Sequence, residues 1–147
     1  MLSLFDPTAR RAIAQRLDRL AATSQPLWGR MNVGQMVVHC TLQLQLALGE
    51  LAAAPMASGA SRFPMKQLLI YVLPWPKGVP TFPELRDPLT TGWDADRNAL
   101  RSLIERFGAQ DPRRAWPAHA AFGPMSGRAW GVLAARHLDH HLRQFGA

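Results

Sequence analysis

Apolar and polar residues recur with a helical period in four separate stretches of the chain. Asp6-Pro7 opens the first, because aspartate is a good N-cap and proline suits the first turn. From Pro7 to about Ala22, Ile13, Leu17 and Leu20 form one stripe, with Arg10, Arg11, Arg16, Asp18 and Arg19 mostly outside it. A second stretch is capped by Asn32, runs to about Leu48 and stops at Gly49. Met36, Val37, Val38, Leu42, Leu44, Leu46 and Leu48 make it apolar on nearly every side, the pattern of a central buried helix. A third starts at Trp93 or Asp94, repeats Leu100, Leu103, Ile104 and Phe107 at helical intervals, and ends at Gly108. Ser126 caps the last, which continues to Phe145 before Gly146.

The intervening stretches break the period. Residues 50–62 are rich in Ala, Pro, Ser and Gly and read as a loop with at most a helical turn. Residues 63–73 suit a short helix better than a strand, because no other stretch supplies a strand to pair with Ile70-Tyr71-Val72. Pro74, Pro76, Gly78, Pro80, Pro83 and Pro88 predict a long irregular loop that can act as a lid over a pocket. Asp111-Pro112, Trp116-Pro117 and Phe122-Gly123-Pro124 mark another irregular connection. Four principal helices and no convincing strand predict an all-α protein, a four-helix bundle with long irregular loops forming one domain over residues 1–147.

Composition narrows this picture. A length of 147 residues with 48% hydrophobic and 18% charged content suffices for a self-contained core and excludes a disordered chain. The start lacks a basic segment followed by an apolar one, and no apolar run approaches the roughly 20 residues of a membrane span, so a cytoplasmic address is expected. The lone cysteine, Cys40, excludes an intramolecular disulfide and reads as a small buried filler. A net charge of +7 raises the question of nucleic acid. The arginines are nevertheless dispersed, only Arg10-Arg11 and Arg113-Arg114 are adjacent, and no nucleic-acid module appears; such a partner is not expected.

The candidate chemistry lies in the last helix. His137 and His141 are four residues apart, which stacks two imidazoles on one helical face. With Trp130 as zero and roughly 100° per residue, Leu133, Ala134, Leu138, Leu142 and Phe145 share a broad apolar arc. His141 lies inside it and His137 at its edge, while His140 is displaced toward the charged face of Arg128, Arg136, Asp139 and Arg143. Two histidines on one helix can share a metal ion but need a further ligand from another helix. His39 is the best candidate, because it sits on the buried second helix in a polar row with Gln35 and Gln43. Three neutral imidazoles leave a coordination position open, the arrangement of a catalytic site. Gln35, Gln43 and Gln144 are candidates to orient these ligands, and His119 and His140 are candidates for a general base. Trp75 can line a pocket, and Arg62, Lys77 and Arg86 are available to an anionic substrate.

Two segments carry a family likeness. One is Trp28-x2-Met31-x3-Gln35-Met36-x2-His39. The other is His119-x2-Phe122-Gly123-Pro124-x5-Trp130-x6-His137-x2-His140-His141-x2-Gln144-Phe145. Together they resemble the DinB-like superfamily, and within it a branch with an HP-x-FG-type segment before the last helix; this chain has Ala120 where that branch commonly has proline. The resemblance implies a four-helix bundle of unusual connectivity, often dimeric, with a divalent metal, zinc or nickel, held by His39, His137 and His141. It implies a metal-dependent enzyme acting on a small molecule by transfer, in some relatives with a low-molecular-weight thiol, or by hydrolysis. The competing expectation is a non-catalytic, stress-related or binding protein with a vestigial metal pocket.

Overall fold

Side-chain caps start three of the helices in the computed structural model, which describes residues 1–56, 59–75 and 88–147. Asp6 accepts from the Thr8 amide at 2.9 Å and starts α1 (Pro7–Asp18). This helix is shorter than its sequence predicts: it closes at Arg19, and Ser24 Oγ takes the Ala21 amide at 3.0 Å to form a turn. Leu20 remains buried beyond the helix end, so its place in the apolar stripe reflects packing without helical continuation.

The second helix, α2 (Val33–Leu48), has the predicted limits. Asn32 and Gln35 form a reciprocal capping box, and Gly49 closes the helix in a left-handed conformation that favours glycine. Residues 63–73 are helical: α3 (Met65–Gln67) passes directly into a π-helical turn at Leu68–Val72. α4 (Trp93–Gly108) begins without a cap from Gly92. Asp96 instead reaches back to the Thr91 amide at 3.0 Å, the Thr91 hydroxyl at 2.6 Å and the Gly92 amide at 3.2 Å. Ser126 caps α5 (Gly127–Gln144) through the Ala129 amide at 3.2 Å.

The four long helices form a bundle in which α1 packs on α4 and α5, and α2 packs on the same two. Around the bundle the order is therefore α1, α4, α2, α5, not the order of the chain. Ile13 and Leu17 of α1, Met36 and Cys40 of α2, Leu100 and Ile104 of α4, and Leu138 and Leu142 of α5 meet at the centre. Cys40 is buried there, and desolvation raises its pKa, which leaves an unreactive thiol. The N-terminal segment lies against α5, with the Leu4 amide donating to the Gly131 carbonyl at 3.0 Å. A Cβ at Gly131 would stand 2.5 Å from the Phe5 ring, so this close approach requires glycine.

Among the described residues there is no strand, only an antiparallel bridge between His119 and Gly123. No helix there is long and apolar enough to cross a membrane. Several arginines are paired with acids across helices, including Arg10 with Glu105 at 3.1 Å, Arg16 with Asp139 at 2.7 Å and Arg101 with Asp18. Most of the proline-rich 74–88 loop predicted as a lid lies outside the described residues, as do Lys77 and Arg86.

Candidate metal centre

The apolar faces that bring α2 and α5 together also bury three imidazoles. His39, His137 and His141 are 4%, 8% and 7% exposed, and each offers a ring nitrogen within 4.8 Å of the others. His39 Nε2 and His137 Nε2 are 3.1 Å apart, although 98 residues separate them in the chain. The ring centroids are 5.0 Å apart for His39–His137, 4.8 Å for His39–His141 and 4.6 Å for His137–His141. Two nitrogens bound to one tetrahedral zinc ion stand roughly 3.3 Å apart, given bonds of about 2.0–2.1 Å. The observed spacing fits a shared ion.

Protonation and tautomer favour the same use. Burial holds His137 well below the ordinary histidine range, reinforced by His141 and His39; burial, with His39 beside it, lowers His141 to about 3. Both rings are neutral at pH 7 and carry the lone pair that a metal requires. Gln144 selects the His141 tautomer. Its Nε2 donates to the Trp28 carbonyl at 2.8 Å, which orients the amide so that Oε1 accepts from His141 Nδ1 at 2.8 Å. The His141 proton is therefore on Nδ1 and the lone pair on Nε2. His137 has no equivalent support, since its Nδ1 lacks a hydrogen-bond partner among the described residues.

A family model for the DinB superfamily matches residues 7–145. The chain belongs to the DinB superfamily. No curated protein and no solved structure matches it. Membership in the superfamily agrees with the all-helical fold and with a buried three-histidine group that can hold a metal ion.

Within this DinB-superfamily fold the other sequence candidates separate. Gln35 sits one turn before His39, but its Oε1 takes the Asn32 amide at 3.0 Å and is committed to the α2 cap. Gln43 sits one turn after His39, and its buried Oε1 has no partner among the described residues, so that oxygen orients no imidazole there. Gln144 is bonded to a ring of the cluster, through His141 Nδ1.

His140 lies beside the cluster, half-buried, with its ring 5.2 Å from His141, 5.8 Å from Trp28 and 6.1 Å from Trp75. The helical wheel displaced it toward the charged face; the aromatic residues beside it come from outside the helix. Trp75 also stands 5.7 Å from His137. Arg62 is exposed.

His119 belongs to the turn that precedes α5. Its amide and carbonyl pair with those of Gly123, both at 2.8 Å, and its Nδ1 accepts from the amides of Ala121 and Phe122 at 3.1 and 3.3 Å. Gly123 has φ +65°, a conformation suited to glycine, which accounts for the glycine of the H-x-x-FGP segment. Burial, with Lys66 nearby, lowers His119 to about 4. Because Nδ1 is the acceptor, the ring proton of the neutral form is on Nε2. In the neutral form Nε2 is the nitrogen left to donate.

Arg136 is a residue that sequence reasoning missed. Assigned by the wheel to the solvent face, it donates to the carbonyls of Ile70 at 2.6 Å, Leu69 at 3.3 Å and Leu73, anchoring the π-helical turn that precedes Trp75. Trp75 Nε1 in turn donates to the Leu69 carbonyl at 3.2 Å. Only its position next to His137 hinted at a role.

Proposed function

We propose that the protein is a metal-dependent enzyme that holds one divalent ion, zinc or nickel, through His39, His137 and His141 and acts on a small molecule by group transfer or hydrolysis. The observation that carries this reading is the convergence of three buried ring nitrogens within 4.8 Å, two of them 3.1 Å apart. A bound divalent ion supplies Lewis acidity and lowers the pKa of a bound water or thiol. The remaining work falls to the chain itself.

Gln144 keeps the His141 proton on Nδ1 and the lone pair on Nε2, and is itself fixed by the Trp28 carbonyl. Burial keeps His137 and His141 neutral, so a cation does not have to displace protons from them near neutral pH. Trp28 and Trp75 flank His140 and limit water at that side of the centre. His140, the ionisable group beside the cluster that is not one of the three, is the residue we assign to carry a proton. The thiol co-substrate, a homodimeric assembly and a cytoplasmic address belong to the same reading and rest on the family resemblance and on the single cysteine.

Metal analysis of protein purified without a histidine tag tests the proposal, with His137→Ala alongside. Near-stoichiometric metal in the parent and its loss in the variant are expected. Absence of bound metal at neutral pH, even after zinc or nickel is added, rejects it in favour of a non-catalytic protein with a vestigial pocket.

A further inference from the structure

The loop between α1 and α2 meets the end of α5 beside the histidine cluster and holds Gln144 twice. The Leu27 amide donates to the Gln144 carbonyl at 2.7 Å, and Gln144 Nε2 donates to the Trp28 carbonyl at 2.8 Å. The next residue, Gly29, has φ +85°, in the left-handed region. A Cβ on Gly29 would stand 2.6 Å from Gln144 Nε2 and 3.8 Å from Gln144 Cδ. Apart from its chain neighbours, no other heavy atom among the described residues lies within 4 Å of that point. The space that a side chain would take at residue 29 is occupied by the amide that fixes the His141 ring.

We propose that Gly29 is a positioning residue for the metal centre. Having no side chain, it lets the Gln144 amide lie where it joins the Trp28 carbonyl to His141 Nδ1. The inference rests on the reading of His39, His137 and His141 as metal ligands, and it adds the residue that governs how one of them is presented. An approach of 2.6 Å is roughly 1 Å inside ordinary van der Waals contact. The Gln144 carbonyl is tied to the Leu27 amide, so the part that can yield is the end of the side chain. Both 2.8 Å bonds end on that amide, and moving it stretches both at once. The Nδ1 proton of His141 then loses the acceptor that keeps the lone pair on Nε2.

The left-handed backbone by itself also favours glycine, and a second glycine separates that effect from the contact. Gly49 has φ +81°, and a Cβ there would meet nothing within 4 Å. Alanine at position 49 bears only the backbone strain, whereas alanine at position 29 bears a similar strain and displaces Gln144.

Gly29→Ala and Gly49→Ala are compared in the full-length protein, first without metal. Nitrogen-15 NMR of the imidazoles at neutral pH assigns the His141 tautomer. A single Nδ1–H form is expected in the parent and in Gly49→Ala, and a mixture of both tautomers in Gly29→Ala. Chelator competition should then show zinc bound about 10–100-fold more weakly by Gly29→Ala and within about twofold of the parent by Gly49→Ala. Gln144→Leu removes the amide, so Gly29→Ala added to it should change zinc affinity by no more than about twofold. The pair Gly29→Asn and Gly49→Asn carries the same Cβ on a side chain that tolerates the left-handed backbone, and keeps the test decisive if Gly29→Ala does not fold. A tautomer and zinc affinity at position 29 that match those at position 49 would overturn the proposal. So would an Nε2–H form of His141 in the parent, or an undiminished effect in the Gln144→Leu background. Failure of the parent to bind zinc would instead remove the metal reading, while the metal-free tautomer comparison would still decide whether Gly29 positions His141.

Discussion

Gln144→Leu tests how far the histidine cluster depends on its support. The side chain is 3% exposed and makes two bonds of 2.8 Å, one accepted from His141 Nδ1 and one donated to the Trp28 carbonyl. Leucine has similar bulk but neither polar atom. The variant leaves the His141 N–H buried without its acceptor, which costs about 1–3 kcal/mol, and removes a further hydrogen bond worth about 1 kcal/mol. A total of roughly 2–4 kcal/mol should therefore be lost from folding stability, read by urea denaturation of the metal-free protein. Once the Nδ1 proton is no longer held, the His141 tautomer and ring orientation are free to vary, and loss of such a partner typically weakens metal binding 10–100-fold. Competition titration with a chromophoric chelator measures that loss directly. The two readouts separate the roles: an unchanged metal affinity alongside the lost stability would show that Gln144 merely packs the end of α5. Unchanged stability would refute the hydrogen-bond account itself.

Two further predictions address the turn before α5 and the segment that covers the centre. His119 has a folded pKa of about 4 against an ordinary 6.5. Between these values the unfolded chain binds a proton that the folded chain does not, so stability falls as pH drops from 6.5 to 4, by roughly 3 kcal/mol for this residue, and is retained above 6.5. His119→Asn, whose side-chain oxygen can accept from the same two amides, should lose correspondingly less over that range in urea titrations at each pH, and an identical acid dependence would refute this assignment. Arg136→Met removes the bonds to the carbonyls of Leu69, Ile70 and Leu73. Hydrogen exchange at the Leu68 and Leu73 amides should accelerate about 10–100-fold, since a hydrogen bond to a charged group contributes about 1.5–3 kcal/mol, while exchange in the core of α2 is unchanged; equal protection in parent and variant would count against the anchor.

The sequence alone determined the features set by neighbours a few residues apart. Asp6, Asn32 and Ser126 cap their helices as read, and Gly49 ends α2, because these contacts span four residues or fewer. The same locality placed His137 and His141 together, since i and i+4 share a helical face wherever the helix goes. The short segment at 63–73 was legible as helix by elimination, though not its π-helical turn.

Contacts that join distant parts of the chain were decided by the tertiary structure. The α1, α4, α2, α5 order around the bundle follows from which apolar stripes fit together, and no local pattern records that. Gln35, Gln43 and Gln144 were equivalent as polar residues near a histidine. One caps a helix, one faces a cavity, and one is held by a carbonyl 116 residues away so that it can fix an imidazole tautomer. Helix formation is governed by short-range hydrogen bonds that the sequence encodes directly. The position of a buried polar atom is governed by whichever donor or acceptor packing brings to it, and only the folded chain contains that information.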